Sequence, residues 1–254
     1  MCCQKMSLNM NMKKNSLNSV LAMLAVLGAA NLQAKEYPNC AAVQQYGMSL
    51  KFQNRSAEVQ ALQLQAFNVA THRLKEILQE HPNAKNLAIV TDLDETILDN
   101  TDVFVQDLKR CEDYTNWKSW DEWEKSGQPQ IIEGSLDFLN YADQHGVKIF
   151  YVSDRSEKFR ASTMHAMKQL NLPQVHSQQI LLYGTSKEQR RQTVSADYDV
   201  VMLLGDTLHD FSAAFSNQQT PQERAEAVKS NKEKFGDRFI VLPNVSYGAW
   251  SKTQ

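Results

Sequence analysis

Residues 87–100 read Leu87-Ala88-Ile89-Val90-Thr91-Asp92-Leu93-Asp94-Glu95-Thr96-Ile97-Leu98-Asp99-Asn100, a short apolar and β-branched run that stops abruptly in two carboxylates one residue apart. The run predicts a buried strand over Leu87–Thr91. In the tight turn after it, alternation brings the side chains of Asp92 and Asp94 into one small volume, where two anions repel unless a cation or a shared proton lies between them. A strand ending in Asp-x-Asp-x-Thr is therefore arranged for chemistry at its carboxyl end. Taken alone, the same letters also describe an acidic turn after a core strand, and composition yields them in on the order of a few per cent of chains this long. The other strand ends decide between the two readings.

Further strands are predicted at Val147–Val152, Ile180–Tyr183, Val200–Leu204 and Phe239–Leu242, most of them apolar on both sides, as buried parallel strands are. Helical spacing separates them at Gly134–His145, Glu157–Leu170, Ser186–Thr193, Leu208–Phe215 and Pro221–Phe235, and an amphipathic helix over Ser56–Glu80 precedes them. Thr220, Pro221 and Glu223 form a helix start with a capping box. Strand and helix alternating in this order imply an α/β fold, a doubly wound parallel sheet that binds ligands at the carboxyl ends of its strands. The crossover after Asp92 is longer than one helix requires. The excess, residues 100–133, holds Phe104, Tyr114, Trp117, Trp120 and Trp123, either as the small core of an insertion or as a helical cap over the acidic turn.

Each later strand runs into residues suited to phosphate or metal. Val152 leads to Ser153-Asp154-Arg155, where a hydroxyl and the turn's backbone N–H groups can hold a phosphoryl oxygen. Leu182 leads to Gly184-Thr185-Ser186-Lys187, an ammonium at a helix start, and Leu204 leads to Gly205-Asp206-Thr207-Leu208-His209-Asp210, again two acids off a strand. Carboxylates gathered with no His or Cys among them suit a hard divalent ion that keeps waters, with Mg²⁺ the first choice. With a phosphate dianion neutralised by metal and Lys187, one Asp can attack phosphorus while a second protonates the leaving oxygen and then activates water. Spacing alone leaves open which of Asp92 and Asp94 does which.

The order Asp92-x-Asp94-x-Thr96, Ser153, Lys187, Gly205-Asp206-x-x-x-Asp210 resembles the four motifs of the haloacid dehalogenase (HAD) superfamily. More narrowly, the chain resembles the secreted class C acid phosphatases of bacteria, a likeness extending to Phe150-Tyr151-Val152-Ser153-Asp154-Arg155, Asp206-Thr207-Leu208-His209-Asp210-Phe211, Leu242-Pro243-Asn244 and Tyr247-Gly248-Ala249-Trp250. The resemblance implies a HAD-like sheet with a cap after the first strand. It implies Asp92 as nucleophile and metal ligand, and Asp94 as general acid/base whose backbone carbonyl binds Mg²⁺. By the same likeness Asp206 is a further metal ligand, Asp210 a support behind it, Ser153 and Lys187 phosphate contacts, and Thr96 a residue that orients the phosphate-binding loop. Tyr247 matches a position near the substrate's ring, and Phe104 in the insertion is a second candidate substrate contact. Asp154 stands where the family often has Asn.

At the N-terminus, Lys13 and Lys14 precede an apolar stretch within Ser16–Ala30, followed by Leu32-Gln33-Ala34, which reads as a secretory signal peptide over residues 1–34. Cleavage is expected after Ala34, with Ala30 the second choice and Met12 an alternative start. The apolar stretch is shorter than the roughly 20 residues of a spanning helix, and no Cys follows it as a lipid-attachment site. Removal of residues 1–34 takes three lysines and no acid, which moves the formal net charge from −2 to −5. That mildly acidic balance argues against a nucleic-acid partner. Cys40 and Cys111 remain, as one disulfide of an oxidising compartment or as two thiols. The expected protein is thus a periplasmic or secreted Mg²⁺-dependent phosphatase, residues 35–254, acting on small phosphomonoesters, 5′-nucleotides among them. A phosphotransferase to alcohols and a non-catalytic storage protein of the same fold are the alternatives, the second opposed by the intact Asp92. The oligomeric state stays open.

Overall fold

Every residue of strand β1, Leu87–Thr91, is buried. Its side chains alternate between two cores: Leu87 and Ile89 join Phe67, Ala70, Leu74 and Ile77, whereas Ala88 and Val90 join Phe150, Val152 and Val194. A strand covered by helices on both faces requires this pattern. The computed structural model describes residues 40–215 and 218–252, all within one compact unit. The signal peptide expected over residues 1–34 lies outside the described residues.

Two helices precede β1, α1 (Ala41–Gln53) and α2 (Ala57–Glu80). Ser56 caps α2, its hydroxyl accepting from Val59 N at 3.2 Å. The sequence pattern did not mark α1, because only Leu50 and Gln53 of its 13 residues are buried. Beyond the acidic turn, β2 (Leu98–Asp99) and β3 (Gln130–Ile131) pair antiparallel and close the stem of the insertion. Between them lie α3 (Thr101–Lys109), a tight turn at Tyr114–Asn116, and α4 (Trp120–Ser126). Val103, Phe104, Val105, Leu108 and Tyr114 form the insertion's own core, completed by Leu50 of α1.

After α5 (Ser135–Gln144), the chain alternates through β4 (Lys148–Val152), α6 (Arg160–Gln169), β5 (Ile180–Leu181), α7 (Lys187–Asp197), β6 (Asp199–Gly205), α8 (Pro221–Ser230) and β7 (Phe239–Val241). The five long-crossover strands pair in parallel in the order β5-β4-β1-β6-β7. Residues of α2 and α5 pack on one face, where the Phe67 and Phe138 rings lie 5.9 Å apart, and Val194 of α7 packs on the other. Among the described residues no helix is long and apolar enough to cross a membrane.

The stretch expected as a helix at Leu208–Phe215 is instead two short turns, Leu208–Asp210 and Ala213–Phe215. Asp210 Oδ2 accepts from both the backbone N and the hydroxyl of Thr207, at 2.9 and 2.8 Å, and such local bonds compete with helix propagation. The capping box of Thr220 and Glu223 forms, but α8 stops at Ser230, where Asn231 turns its amide onto Ala227 O. Cys40 and Cys111 are neighbouring free thiols, the second of the two states that the sequence left open, and the Cys111 thiol is pushed up by its hydrogen bond with Cys40.

Candidate active site

From β1 the chain moves to β4 and β5 on one side of the sheet and then crosses back to β6 on the other. Such a reversal opens a crevice over the carboxyl ends of the two strands that flank it. Asp92 follows β1 and Asp206 follows β6, so both carboxylates enter that crevice. Carboxylate oxygens of Asp92, Asp206 and Asp210 lie within 4.8 Å of one another. The close approach depends on Gly205, where a Cβ would sit 2.5 Å from Asp210 Oδ2.

Lys187 opens α7, behind a capping box of Ser186 and Gln189, and its ammonium enters the acidic cluster. Nζ stands 3.0 Å from Asp92 Oδ1 and 2.5 Å from Asp210 Oδ1. Burial opposes the ammonium, yet Asp210, Asp92 and Asp154 outweigh it and raise its pKa. Asp210 is held below the usual carboxylate range, since Lys187, His209 and Thr207 overcome its burial. Asp92 goes the other way: burial first, then the charges of Asp210, Asp206 and Asp94, raise it well above its ordinary value against the pull of Lys187. Asp206 is raised to about 8 by burial and by Asp210, even though Asn244 Nδ2 donates to its Oδ2 at 2.7 Å. This is a set of oxygen donors with more negative charge than one lysine balances.

Asp94 sits in a separate clamp. Arg155 Nε donates to its Oδ1 at 2.9 Å, Asn100 Nδ2 to the same oxygen at 3.0 Å, and Ser153 Oγ to Oδ2 at 3.1 Å. Asn100 is itself fixed, its Oδ1 accepting from Trp123 Nε1 at 2.7 Å and from Arg155 Nη2 at 3.0 Å. Next in the chain, Glu95 adopts a left-handed φ of 52°, which turns its carboxyl inward to accept from Asn100 N and from the Tyr247 hydroxyl. Burial, with the charge of Asp94 second, raises Glu95 to about 8.

A cavity of about 370 Å³ opens above these groups. Asp92, Asp94, Asp206, Lys187 and Arg155 line it together with the aromatic Trp117, Trp120 and Tyr247 and the polar Asp121, Asp154, Thr207 and His209. Of the residues that the sequence singled out, Asp92, Asp94, Asp206, Lys187 and Tyr247 thus meet in one cavity. Phe104 does not line it; it is 2% exposed and backs Trp117, Trp120 and Tyr247 from behind. Thr96 is fully buried, its hydroxyl 3.3 Å from Asp206 Oδ1, and the buried Ser153 hydroxyl is directed at Asp94. The sequence reading did not assign roles to Arg155, Asn100, Glu95 and Asn244. All four carried a signal, standing within one or two residues of a motif or a strand end.

The donors fit a hard divalent cation. The buried Asp92 Oδ1 has the Lys187 ammonium at 3.0 Å, a cation it shares with Asp210, and burial together with neighbouring carboxylate charges raises Asp92 and Asp206, which a further cation would relieve. Asp92 and Asp206 are the side chains placed to hold it, with Asp210 engaged by Lys187 and Thr207.

Residues 4–250 match the family described as HAD superfamily, subfamily IIIB (acid phosphatase). Among solved structures the chain is similar to the class C acid phosphatase from Bacillus anthracis, at 32% identity and a TM-score of 0.76, over 82% of this chain and 87% of that one. The tungstate-bound form of that enzyme matches at 34% identity and a TM-score of 0.77 over the same shares. With a family match over nearly its whole length and these carboxylates at the switch point of its sheet, the chain belongs to the HAD subfamily IIIB acid phosphatases and is a class C phosphomonoesterase.

Proposed function

We propose that the protein is a Mg²⁺-dependent acid phosphatase, periplasmic or secreted, that cleaves small phosphomonoesters, 5′-nucleotides among them, through an aspartyl-phosphate on Asp92. In this reading residues 1–34 are removed as a signal peptide and residues 100–133 act as the cap. The observation that carries it is the cluster of buried Asp92 and Asp210 with half-buried Asp206 beyond the ends of β1 and β6, with Lys187 against it.

A carboxylate oxygen of Asp92 attacks phosphorus, and the bond from phosphorus to the leaving oxygen breaks. Asp94, entering the step as a carboxylic acid, gives its proton to that oxygen; as a carboxylate it then takes a proton from the water that attacks the phosphoryl group, which frees inorganic phosphate and Asp92. Lys187 holds a phosphoryl oxygen, the Ser153 hydroxyl supports Asp94, and Thr96 with Asn244 keeps Asp206 in place. HAD phosphatases use a divalent metal; Asp92, Asp206 and the Asp94 carbonyl would hold Mg²⁺ here, and it would supply the positive charge that a phosphoryl group requires. The aromatic wall of Trp117, Trp120 and Tyr247 supports planar leaving groups.

Phosphate release from a panel of phosphomonoesters, after exhaustive EDTA treatment and after Mg²⁺ addition, tests the proposal. Silence with EDTA and recovery with Mg²⁺ are expected, with AMP cleaved faster than glycerol phosphate. Full activity after chelation would overturn the metal dependence.

A further inference from the structure

The carboxylate of Asp154 reaches the cavity although no step of the reaction uses it. It stands in the turn after β4, with its side chain half exposed, while Arg190 lies buried behind it. That arginine is committed: Nη2 donates to Asp154, and Nη1 to the carbonyls of Ser153 at 2.6 Å and Leu181 at 3.0 Å. Asp154 lines both the active-site cavity and an adjoining groove of about 700 Å³ over the start of α7. Burial works against its ionisation, but His209, Lys187 and Arg190 prevail and hold the carboxyl far below the usual range.

The cations of the cavity are already engaged. Lys187 is shared by Asp92 and Asp210, and Arg155 is spent on Asp94 and Asn100. No other lysine or arginine is among the described residues lining the cavity. A second carboxylate, Asp121, stands at the rim paired with the exposed Lys158. A leaving group with an anion of its own therefore meets the carboxylate of Asp154, itself paired with Arg190, and no free Lys or Arg among the described lining residues.

We propose that Asp154 sets the charge selectivity of this site. Phosphomonoesters with an uncharged or cationic leaving group are accepted, and those carrying a second anion, such as nucleoside di- and triphosphates, sugar bisphosphates and phosphorylated hydroxy acids, are turned away. The proposal rests on the phosphomonoesterase reading and deepens it. At the distances within one small cavity, a like charge changes relative rates by about tenfold or more, and salt weakens the effect.

The test uses three aryl phosphates of similar size, with a para trimethylammonium, tert-butyl or carboxylate group. The kcat/KM of each is measured for the wild type, Asp154→Asn and Asp121→Asn at one fixed pH and ionic strength. The asparagine keeps an oxygen for Arg190, and comparing each substrate between enzymes cancels its leaving-group acidity. The ratio of cationic to anionic kcat/KM is expected to fall about tenfold in Asp154→Asn, and less in Asp121→Asn, with high salt moving the wild type toward the variant. An unchanged ratio in Asp154→Asn overturns the charge selectivity while leaving the phosphatase reading intact. Failure of the wild type to cleave any of the three overturns both.

Discussion

Lys187 Nζ lies between Asp92 Oδ1, at 3.0 Å, and Asp210 Oδ1, at 2.5 Å, so a single buried ammonium holds the proposed nucleophile and the turn that carries Asp206. Replacing it by Met would leave two buried carboxylates without their cation. Lys187→Met is expected to lose kcat/KM by about 10²–10³-fold, the scale of one lost electrostatic contact to the transition state. Removing one partner of a buried ion pair costs about 3–5 kcal/mol, so the urea midpoint should fall as well. Mg²⁺ should restore part of that stability and little of the activity. A variant as stable as the wild type in EDTA would contradict the shared-cation arrangement.

In the proposed mechanism Arg155 and Asn100, both hydrogen-bonded to Asp94, act on the reaction through it. With a shorter, non-planar side chain, Arg155→Lys loses the paired contact to the Asp94 carboxylate. Asp94 should then protonate poorly, with a loss that grows as the leaving group becomes more basic. Activity on alkyl phosphates should drop about 10²-fold, and on 4-nitrophenyl phosphate about tenfold or less. Equal losses on both would mean that Arg155 supports the fold and not the proton transfer.

The sheet was legible because β1, β4 and β6 are buried on both faces and therefore read as unbroken apolar runs, and the floor of the site because its acids follow those runs directly. What could not be read depends on contacts between distant segments. Phe104 and Trp117 are both aromatic residues of the insertion, yet one fills its core and the other is 40% exposed at the cavity, because α1 packs against α3 and covers only the first. Nothing in the letters around Leu208 distinguishes a helix from the turn that Thr207 and Asp210 impose, since the pull on Asp210 comes from Lys187, 23 residues away. Arg155 was in view after Ser153, but its role required Asn100, far off in sequence, at 3.0 Å.

Tyr247 stands in the wall of the cavity and also donates to Glu95. Stacking of a base on an aromatic ring contributes about 1–3 kcal/mol, so Tyr247→Ala should raise KM for AMP about tenfold or more, with kcat little changed and glycerol phosphate less affected. Tyr247→Phe, which keeps the ring and loses the hydroxyl, should retain the preference for AMP. If Tyr247→Ala leaves the ratio of the two kcat/KM values unchanged, the ring is packing and not a substrate platform.

Glu95 gives stability a defined pH dependence. Its carboxyl is raised from 4.5 to about 8 by burial and by the Asp94 charge, so between those values the folded protein holds a proton that the unfolded chain has released. The resulting stabilisation is complete below pH 4.5 and is lost as pH rises through about 8. Asp206, raised to about 8 in the same way, adds to the slope in metal-free protein. Urea unfolding in EDTA should show stability falling from pH 5 to pH 8, and Glu95→Gln should flatten that fall. An identical slope in the variant would contradict a protonated Glu95.

The covalent step on Asp92 is the centre of the account, and trapping the phosphoenzyme tests it most directly. Enzyme quenched during turnover is reduced with borohydride, which converts an aspartyl-phosphate to homoserine, and the peptides are mapped by mass. The expected result is conversion at Asp92 alone, absent from Asp92→Asn, which should also lose turnover while keeping its fold. Conversion at any other residue, no conversion in an enzyme caught turning over, or an Asp92→Asn variant retaining more than a small fraction of wild-type kcat would contradict it.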